Sequence, residues 1–457
     1  MNVDETIAAI ATPLGEGGLA IIRISGRDAL AVVDQIFVGG GSAGMKLGDA
    51  PSHTIHYGHV VHNGQKLDEV LAGVMRAPRT FTREDVVEIT CHGGLLPARM
   101  VLDAALQHGA RVAEPGEFTK RAFLNGRIDL AQAEAVADLI HARTDLALAA
   151  ANEQLAGKLS QRINLLRDDL IKILAHVEAH IDFPEEDIAP ETRRQLIDRL
   201  GAAVRFMDEL LATANEGQVL RCGVRAAIIG RPNVGKSSLL NQLLGHDRAI
   251  VSPVAGTTRD TIEETANIRG LPVIFVDTAG LRDSVDEIEV EGMRRSRESL
   301  GRAELILQVL DNAQPWTTID ENYLAEFAGK KRIIVRNKID LPSKLVLPEG
   351  VDGPSLEVCC LTGRGIEELK DAIKELIWSG QIRAEMLQVM INSRHQDALH
   401  RARAAILRTR EALSGNIGLE LAAMDLRAGV NAVGEIVGQT TVEDVLDSIF
   451  SQFCIGK

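Results

Sequence analysis

The sequence predicts a multidomain chain with an α+β N-terminal domain, an all-α helical domain, and an α/β domain inserted between the halves of the helical one. Three observations predict it. Residues 1–122 alternate short hydrophobic runs with glycine-rich turns, the pattern of strands. From Asp129, and again from about Met386, alanine and leucine recur at three- and four-residue spacing, the pattern of amphipathic helices. Between these helical stretches, strand-like and helix-like segments alternate, which implies a mostly parallel sheet with helices on both faces. The expected divisions are 1–122, 123–214, 215–380 and 381–457.

Composition sets the bounds. The 457 residues suffice for about three domains. Hydrophobic content of 45% and charged content of 25% are ordinary for a globular protein. The net charge of −14 argues against a general polyanion-binding surface. Nucleic-acid contact then needs a local basic patch or a partner. The cysteines are Cys91, Cys222, Cys359, Cys360 and Cys454; an odd count without C-x-x-C argues against a disulfide framework or zinc site and for a reducing cytoplasm. The first residues carry acids and no basic n-region, so no signal peptide is expected. No apolar run approaches the ~18 residues of a transmembrane helix.

In the first domain, Thr6–Ala11 and Leu19–Ser25 flank the turn GEGG, and His53–His62 roughly alternates. One helix is expected from Leu95 to about His108, and GGGSAG near residue 40 reads as a mobile loop. Arg23 and Glu88 fall within strands, and Cys91-His92 precede Gly93-Gly94. On pattern alone these polar groups read as the solvated face of a sheet. His92 has no second ligand at metal spacing.

The first helical stretch runs from Asp129 to a stop at Phe183-Pro184, and a second helix is expected over Glu191–Thr213. After residue 381, a helix beginning near Met386 carries a basic stripe of Arg394, His400, Arg401, Arg403 and Arg408, a candidate for tRNA docking. Two more helices follow, and Thr440 and Glu443 have capping-box spacing. Cys454, in the final CIGK, has two readings of equal standing: a small hydrophobe packed at a helix end, or a reactive thiol beside Lys457.

The inserted domain carries the chemistry. Gly230–Ser238, GRPNVGKSS, matches G-x-x-x-x-G-K-[ST] and sits between a hydrophobic strand and the helix-like SLLNQLL. Gly230 and Gly235 free the backbone to turn N–H groups toward phosphate oxygens, and the helix start adds its positive dipole end. Lys236 reaches the outer phosphates, and the Ser237 hydroxyl can ligate Mg²⁺. Asn233, Val234 and Ser238 complete the loop. GTTRD follows, in which Gly256 precedes Thr257 and Thr258 offers a second Mg²⁺ ligand. In DTAG, Asp277 holds the Mg²⁺ shell, Thr278 and Ala279 follow, and Gly280 senses the γ-phosphate. In NKID, Asn337 and Lys338 precede Asp340, whose carboxylate can accept two N–H donors from a guanine edge. The base is therefore guanine.

Two departures stand out. Leu281 occupies the place where a glutamine orients the attacking water in many GTPases, so another group must position it. The base-stacking loop reads Cys359-Cys360-Leu361 where Ser-Ala is usual, so the serine hydroxyl is absent.

The N-terminal DETIAAIATPLGEGGLAIIRISG, the stretch EPGEFTKRAFLNGRIDLAQAEAVADLI, the inserted GTPase and the final C-I-G-K closely resemble the MnmE (TrmE) family of tRNA modification GTPases, over essentially the whole chain. The resemblance implies an N-terminal domain that binds a tetrahydrofolate one-carbon derivative and mediates homodimerisation. Arg23, Glu88, Arg127 and Lys457 match its folate-contacting positions; Arg127 stands where lysine is also seen. Cys454 matches the catalytic cysteine. The resemblance also implies a K⁺ ion, with Asn233 as its side-chain ligand. By the same resemblance the GTP-binding loop Ser252, Pro253, Val254, Ala255, Gly256 and Thr257 would close over that ion with backbone carbonyls, with Ser252, Val254 and Thr257 as ligands. Glu289 matches the water-positioning acid, which fits the gap left by Leu281. The implied partner is a flavoprotein of the MnmG (GidA) type, which carries FAD and forms a heterotetramer with the dimer. Together they add an aminomethyl-type group to C5 of the wobble uridine of certain tRNAs. The setting is cytoplasmic, without a membrane. The alternative is a GTP-switched RNA-binding or ribosome-assembly factor without modification chemistry.

Overall fold

The computed structural model describes residues 4–40, 46–182, 190–245, 263–276, 301–351, 353–378, 389–415, 418–440 and 443–457. They divide into two compact units: Met1–Ala137, Leu155–Val204 and Ala398–Lys457 in one, Asp138–Gln154 and Arg205–Asp397 in the other.

The first unit begins with strands β1 (Ile7–Ile10), β2 (Leu19–Ser25), β3 (Phe37–Gly39), β4 (Thr54–His62), β5 (Gln65–Met75), β6 (Val86–His92) and β7 (Arg111–Val112), and helices α1 (Ala29–Asp34), α2 (Leu95–Gln107) and α3 (Glu117–Leu124). The strands form one sheet in the order β3-β4-β5-β6-β2-β1-β7. Its pairs are antiparallel except β1 with β7. Alternation along β2 sends Ile22 and Ile24 into a core with Val33, Val74, Val87, Ile89 and Val101. Arg23, between those two isoleucines, therefore points to the opposite face.

Two helices escaped the sequence reading here. The α1 helix is short and has no side-chain N-cap, so its signal is weak. The α3 helix reads as polar, EFTKRAFL, yet Arg121 is only 2% exposed and Glu117 1%. The Arg121 guanidinium lies between Glu117 (2.9 Å) and Glu84 (3.0 Å) and donates to the Glu5 carbonyl. Burial alone would raise the Glu117 pKa, but Arg111, the Glu114 amide and Arg121 hold it below the ordinary carboxylate range.

The run from Asp129 is three helices rather than one: α4 (Leu130–His141), α5 (Asp145–Leu155) and α6 (Lys158–Asp182). Thr144 starts α5 by accepting from the Ala147 amide at 3.2 Å. Gly157, at φ 81°, separates α5 from α6. Both breaks come from single residues inside an unbroken apolar period, which hides them. Helices α7 (Pro190–Leu211) and α8 (Ala214–Cys222) follow.

The second unit contains the α/β domain: β8 (Val224–Ile229), α9 (Lys236–Leu244), β9 (Glu264–Ile268), β10 (Leu271–Phe275), β11 (Leu305–Asp311), α10 (Thr318–Glu326), β12 (Lys331–Asn337), β13 (Ser355–Glu357) and α11 (Ile366–Ile377). The sheet order is β13-β12-β11-β8-β10-β9, parallel apart from the edge pair β9–β10. The central β11 is buried at every position, as a strand covered on both faces must be. The chain continues into α12 (Ser393–Ser414), α13 (Leu419–Val437) and α14 (Glu443–Phe450). In the first unit, α13 packs along α6. Thr440 donates its hydroxyl to the Asn431 carbonyl at 2.8 Å, back onto α13. Among the described residues, no helix is long and apolar enough to cross a membrane. The fold class is the expected one: an α+β N-terminal domain, a helical domain and an inserted α/β phosphate-loop domain.

Candidate functional sites

The phosphate loop joins β8 to α9 at the carboxyl edge of the sheet, where open α/β sheets bind ligands. Three residues have positive φ: Gly230 (148°), Asn233 (61°) and Gly235 (99°). A Cβ at Gly230 would overlap the Val309 carbonyl, and one at Gly235 would overlap Asn337 Nδ2. The two glycines thus answer both a backbone need and a steric one. Lys236 opens α9, and its Nζ donates to the Gly230 and Arg231 carbonyls at 3.1 and 3.0 Å. The ammonium is held over its own loop, beside the helix N-terminus.

The base-reading loops are tied to the phosphate loop by side chains from NKID. Asn337 is buried at the end of β12; its Nδ2 donates to the Val234 carbonyl (2.8 Å) and its Oδ1 accepts from the Cys360 amide (3.1 Å). Lys338 donates to the Asn233 carbonyl at 2.7 Å and pairs with Asp311 at 2.8 Å. Asp340 stays exposed, and Cys359 Sγ lies 3.2 Å from its Oδ1. Leu361 is 86% exposed beside it, an apolar edge against which a base can lie.

In the first unit, Arg23 forms a clasp. Its Nε donates to Glu88 at 2.8 Å, its Nη1 donates to the Gly456 carbonyl at 3.1 Å, and its guanidinium lies 5.6 Å from the Phe118 ring centroid. β2–β6 pairing places Arg23 opposite Glu88. Gly456, at φ 96°, is pressed against β1, so that a Cβ there would lie 2.6 Å from the Ile10 carbonyl. The Cys454 carbonyl accepts from the Gly116 amide at 3.4 Å. Cys454 is exposed, not packed at the helix end. Arg127 donates to the Thr80 carbonyl and stacks 5.4 Å from the Phe81 ring centroid. Phe81 and Phe118 belong to one apolar cluster with Ile7, Ala9 and Ala113, so both guanidinia lie over the same patch. Arg23 and Glu88 are therefore more than a solvated sheet face. The solvated reading holds for His92, which is exposed and bonded to Asp68 at 2.7 Å.

Two family models match the chain. Residues 6–127 match the model "GTP-binding protein TrmE N-terminus", and residues 130–454 match "MnmE helical domain". The chain is 48% identical to the tRNA modification GTPase MnmE of Geobacillus thermodenitrificans over all of both chains. It is 49% identical to that of Lactiplantibacillus plantarum, over 99% of this chain and 98% of the relative. The chain belongs to the MnmE family. Among solved structures it is similar to the G domain of the T. maritima FeoB iron transporter, 28% identical over 34% of this chain and 98% of that one, with a TM-score of 0.26.

For this MnmE family member, several expected site residues lie outside the described residues: Ser252, Pro253, Val254, Ala255, Gly256, Thr257, Thr258, Asp277, Thr278, Ala279, Gly280 and Glu289. The sequence reading missed two residues that brace the phosphate loop. Arg231 Nε lies 3.2 Å from Asp320 Oδ1, and its Nη2 donates to the Pro315 carbonyl. Asp320 is fully buried, and its other oxygen caps α10 through Thr317. Only the Thr-x-x-Asp capping pattern hinted at it. Two arginines of the basic stripe on α12 are paired: Arg401 with Glu435 (2.6 Å) and Arg408 with Asp425 (2.8 Å). Those arginines knit α12 to α13.

Proposed function

We propose that this GTPase uses K⁺-stimulated GTP hydrolysis to drive a folate- and flavin-dependent modification of the wobble uridine of certain tRNAs. The observation that carries the reading is the Arg23 clasp. It holds the Cys454–Lys457 segment on the sheet of the N-terminal domain, in a chain whose Asn337 and Lys338 also tie the base-reading loop to the phosphate loop. Ribosome-assembly factors of the alternative kind lack that domain and that cysteine.

Among the described residues, the donor chemistry suits a folate and a guanine nucleotide. Glu88 supplies a carboxylate for the N–H edge of a pterin, and Arg23, Arg127 and Lys457 supply cations for the carboxylates of a folate. A bound folate derivative supplies the one-carbon unit. Arg23 orients Glu88 and anchors the segment bearing the Cys454 thiol. For GTP, Lys236 and the α9 N-terminus would face the phosphates, Ser237 would be the Mg²⁺ ligand, and Asp340 would read the base. Thr258 would be the second Mg²⁺ ligand. Asn233, exposed on the loop, would hold K⁺ with Ser252, Val254 and Thr257. The domain limits assigned are 1–122, 123–214, 215–380 and 381–457.

A homodimer is supported by exposed apolar residues on the N-terminal sheet. Ile55 and Tyr57 alternate on β4, and Tyr57 pairs in register with Leu71 on β5. The flavin belongs to the MnmG-type partner of the proposed heterotetramer. Five free cysteines fit a reducing cytoplasm.

Glu289→Ala tests the hydrolytic half. Hydrolysis in K⁺ is expected to fall by about 10²-fold while GTP affinity stays nearly intact, because the residue would act on the water rather than the nucleotide. In the unaltered chain, replacing K⁺ by Na⁺ is expected to slow turnover at least tenfold, to about the rate left without the ion. Equal rates in the two salts would refute the K⁺ assignment.

A further inference from the structure

Asp340 is exposed, and a carboxylate that reads a base must be held in one orientation. Cys359 is the described side chain that meets it. Cys359 is 2% exposed, and its backbone is fixed on both sides. Its amide donates to the Arg364 carbonyl at 2.8 Å, and its carbonyl accepts from the Thr362 and Gly363 amides at 3.2 and 2.8 Å. The thiol is thereby pointed at Asp340 Oδ1, 3.2 Å away.

Cys360 serves a different purpose. It packs in the core of the α/β domain, its carbonyl accepts from Gln242, and its amide donates to Asn337. Burial pushes its thiol pKa up to about 11. Of the two adjacent thiols, only Cys359 meets the base-reading carboxylate.

We propose that Cys359 is a positioning residue that sets the base preference of this site: its S–H donates to Asp340 Oδ1 and holds the carboxylate to accept both N–H donors of guanine. This rests on the GTP reading above and extends it to specificity. Guanine offers the carboxylate two donors, the ring N1–H and the exocyclic amine. Hypoxanthine offers only N1–H. A freely rotating carboxylate can still meet one donor, but two donors require a fixed plane. Loss of the Cys359 donor therefore costs guanine more than hypoxanthine. A thiol is a weak donor, so a hydroxyl at the same place holds the carboxylate at least as well.

The test is calorimetric titration of the full chain and its Cys359→Ala and Cys359→Ser variants with GDP, IDP and ADP. In Cys359→Ala, GDP affinity is expected to fall by about three- to tenfold, the loss of one weak donor to a charged acceptor. IDP affinity is expected to change less, so the GDP:IDP preference shrinks. Cys359→Ser is expected to match or exceed the unaltered preference. A purely structural role would weaken GDP and IDP alike, and an unchanged GDP:IDP ratio in Cys359→Ala would overturn the proposal. So would a serine variant whose ratio falls below that of the unaltered chain, a comparison that holds even if the alanine variant does not fold. An unaltered chain that binds ADP as well as GDP would refute the guanine reading itself.

Discussion

Replacing Gly235 by alanine is expected to abolish GTP binding at ordinary assay concentrations, and hydrolysis with it. Two effects add. The residue has φ 99°, where an L side chain is strained by roughly 1–2 kcal/mol. The new Cβ would also overlap Asn337 Nδ2, so Asn337 must move. Its movement breaks the hydrogen bonds to the Val234 carbonyl and the Cys360 amide. Each buried group left unsatisfied costs about 1–3 kcal/mol. The loop geometry that binds phosphate is thereby disfavoured by several kcal/mol against relaxed conformations, about a 10³-fold loss of affinity or more. Gly301→Ala is the control, because a Cβ there meets nothing within 4 Å. Titration with GDP and a thermal melt of both variants check this. A Gly235→Ala variant that binds GDP within tenfold of the unaltered chain would show that the phosphate and base loops are not locked together in this way.

Arg23→Ala is expected to abolish the tRNA modification while the chain still hydrolyses GTP. One guanidinium carries three contacts: Glu88, the Gly456 carbonyl and the face of Phe118. Its removal leaves Glu88 half-buried without its ion pair and frees the segment that bears Cys454. Arg23→Lys is expected to recover only part of the function, because an ammonium is a point charge and cannot stack and fork at once. Folate binding and modified-nucleoside content should fall together in both variants. Full modification in Arg23→Ala would dismiss the clasp.

The fold class and the phosphate-loop turn were legible because their signals are local. Gly230, Gly235, Lys236 and Asp340 lie in short motifs whose chemistry needs those residue types at fixed spacing. The breaks in the helical run were not legible: Thr144 and Gly157 interrupt a period that continues around them. Nor was the buried Arg121–Glu117–Glu84 network, since charged residues on a helix normally read as a solvated face. The same holds for Arg231 and Asp320, which meet across 89 positions of sequence only when β8 and β11 pair. At Cys359 the sequence showed a missing hydroxyl; only the fold shows a thiol in contact with Asp340. Cys454 was evenly balanced between two readings, and its exposure removes the packed one.

The tRNA modification chemistry proposed for this chain needs Cys454. The most direct measurement is mass spectrometry of the modified nucleosides in bulk tRNA, comparing cells with the chain, cells without it, and deleted cells restored with Cys454→Ser. The wobble-uridine modification is expected to vanish on deletion, to return with the unaltered chain, and not to return with the serine variant. A nucleoside profile unchanged by deletion would contradict that chemistry and leave a GTP-dependent switch for some other RNA machine.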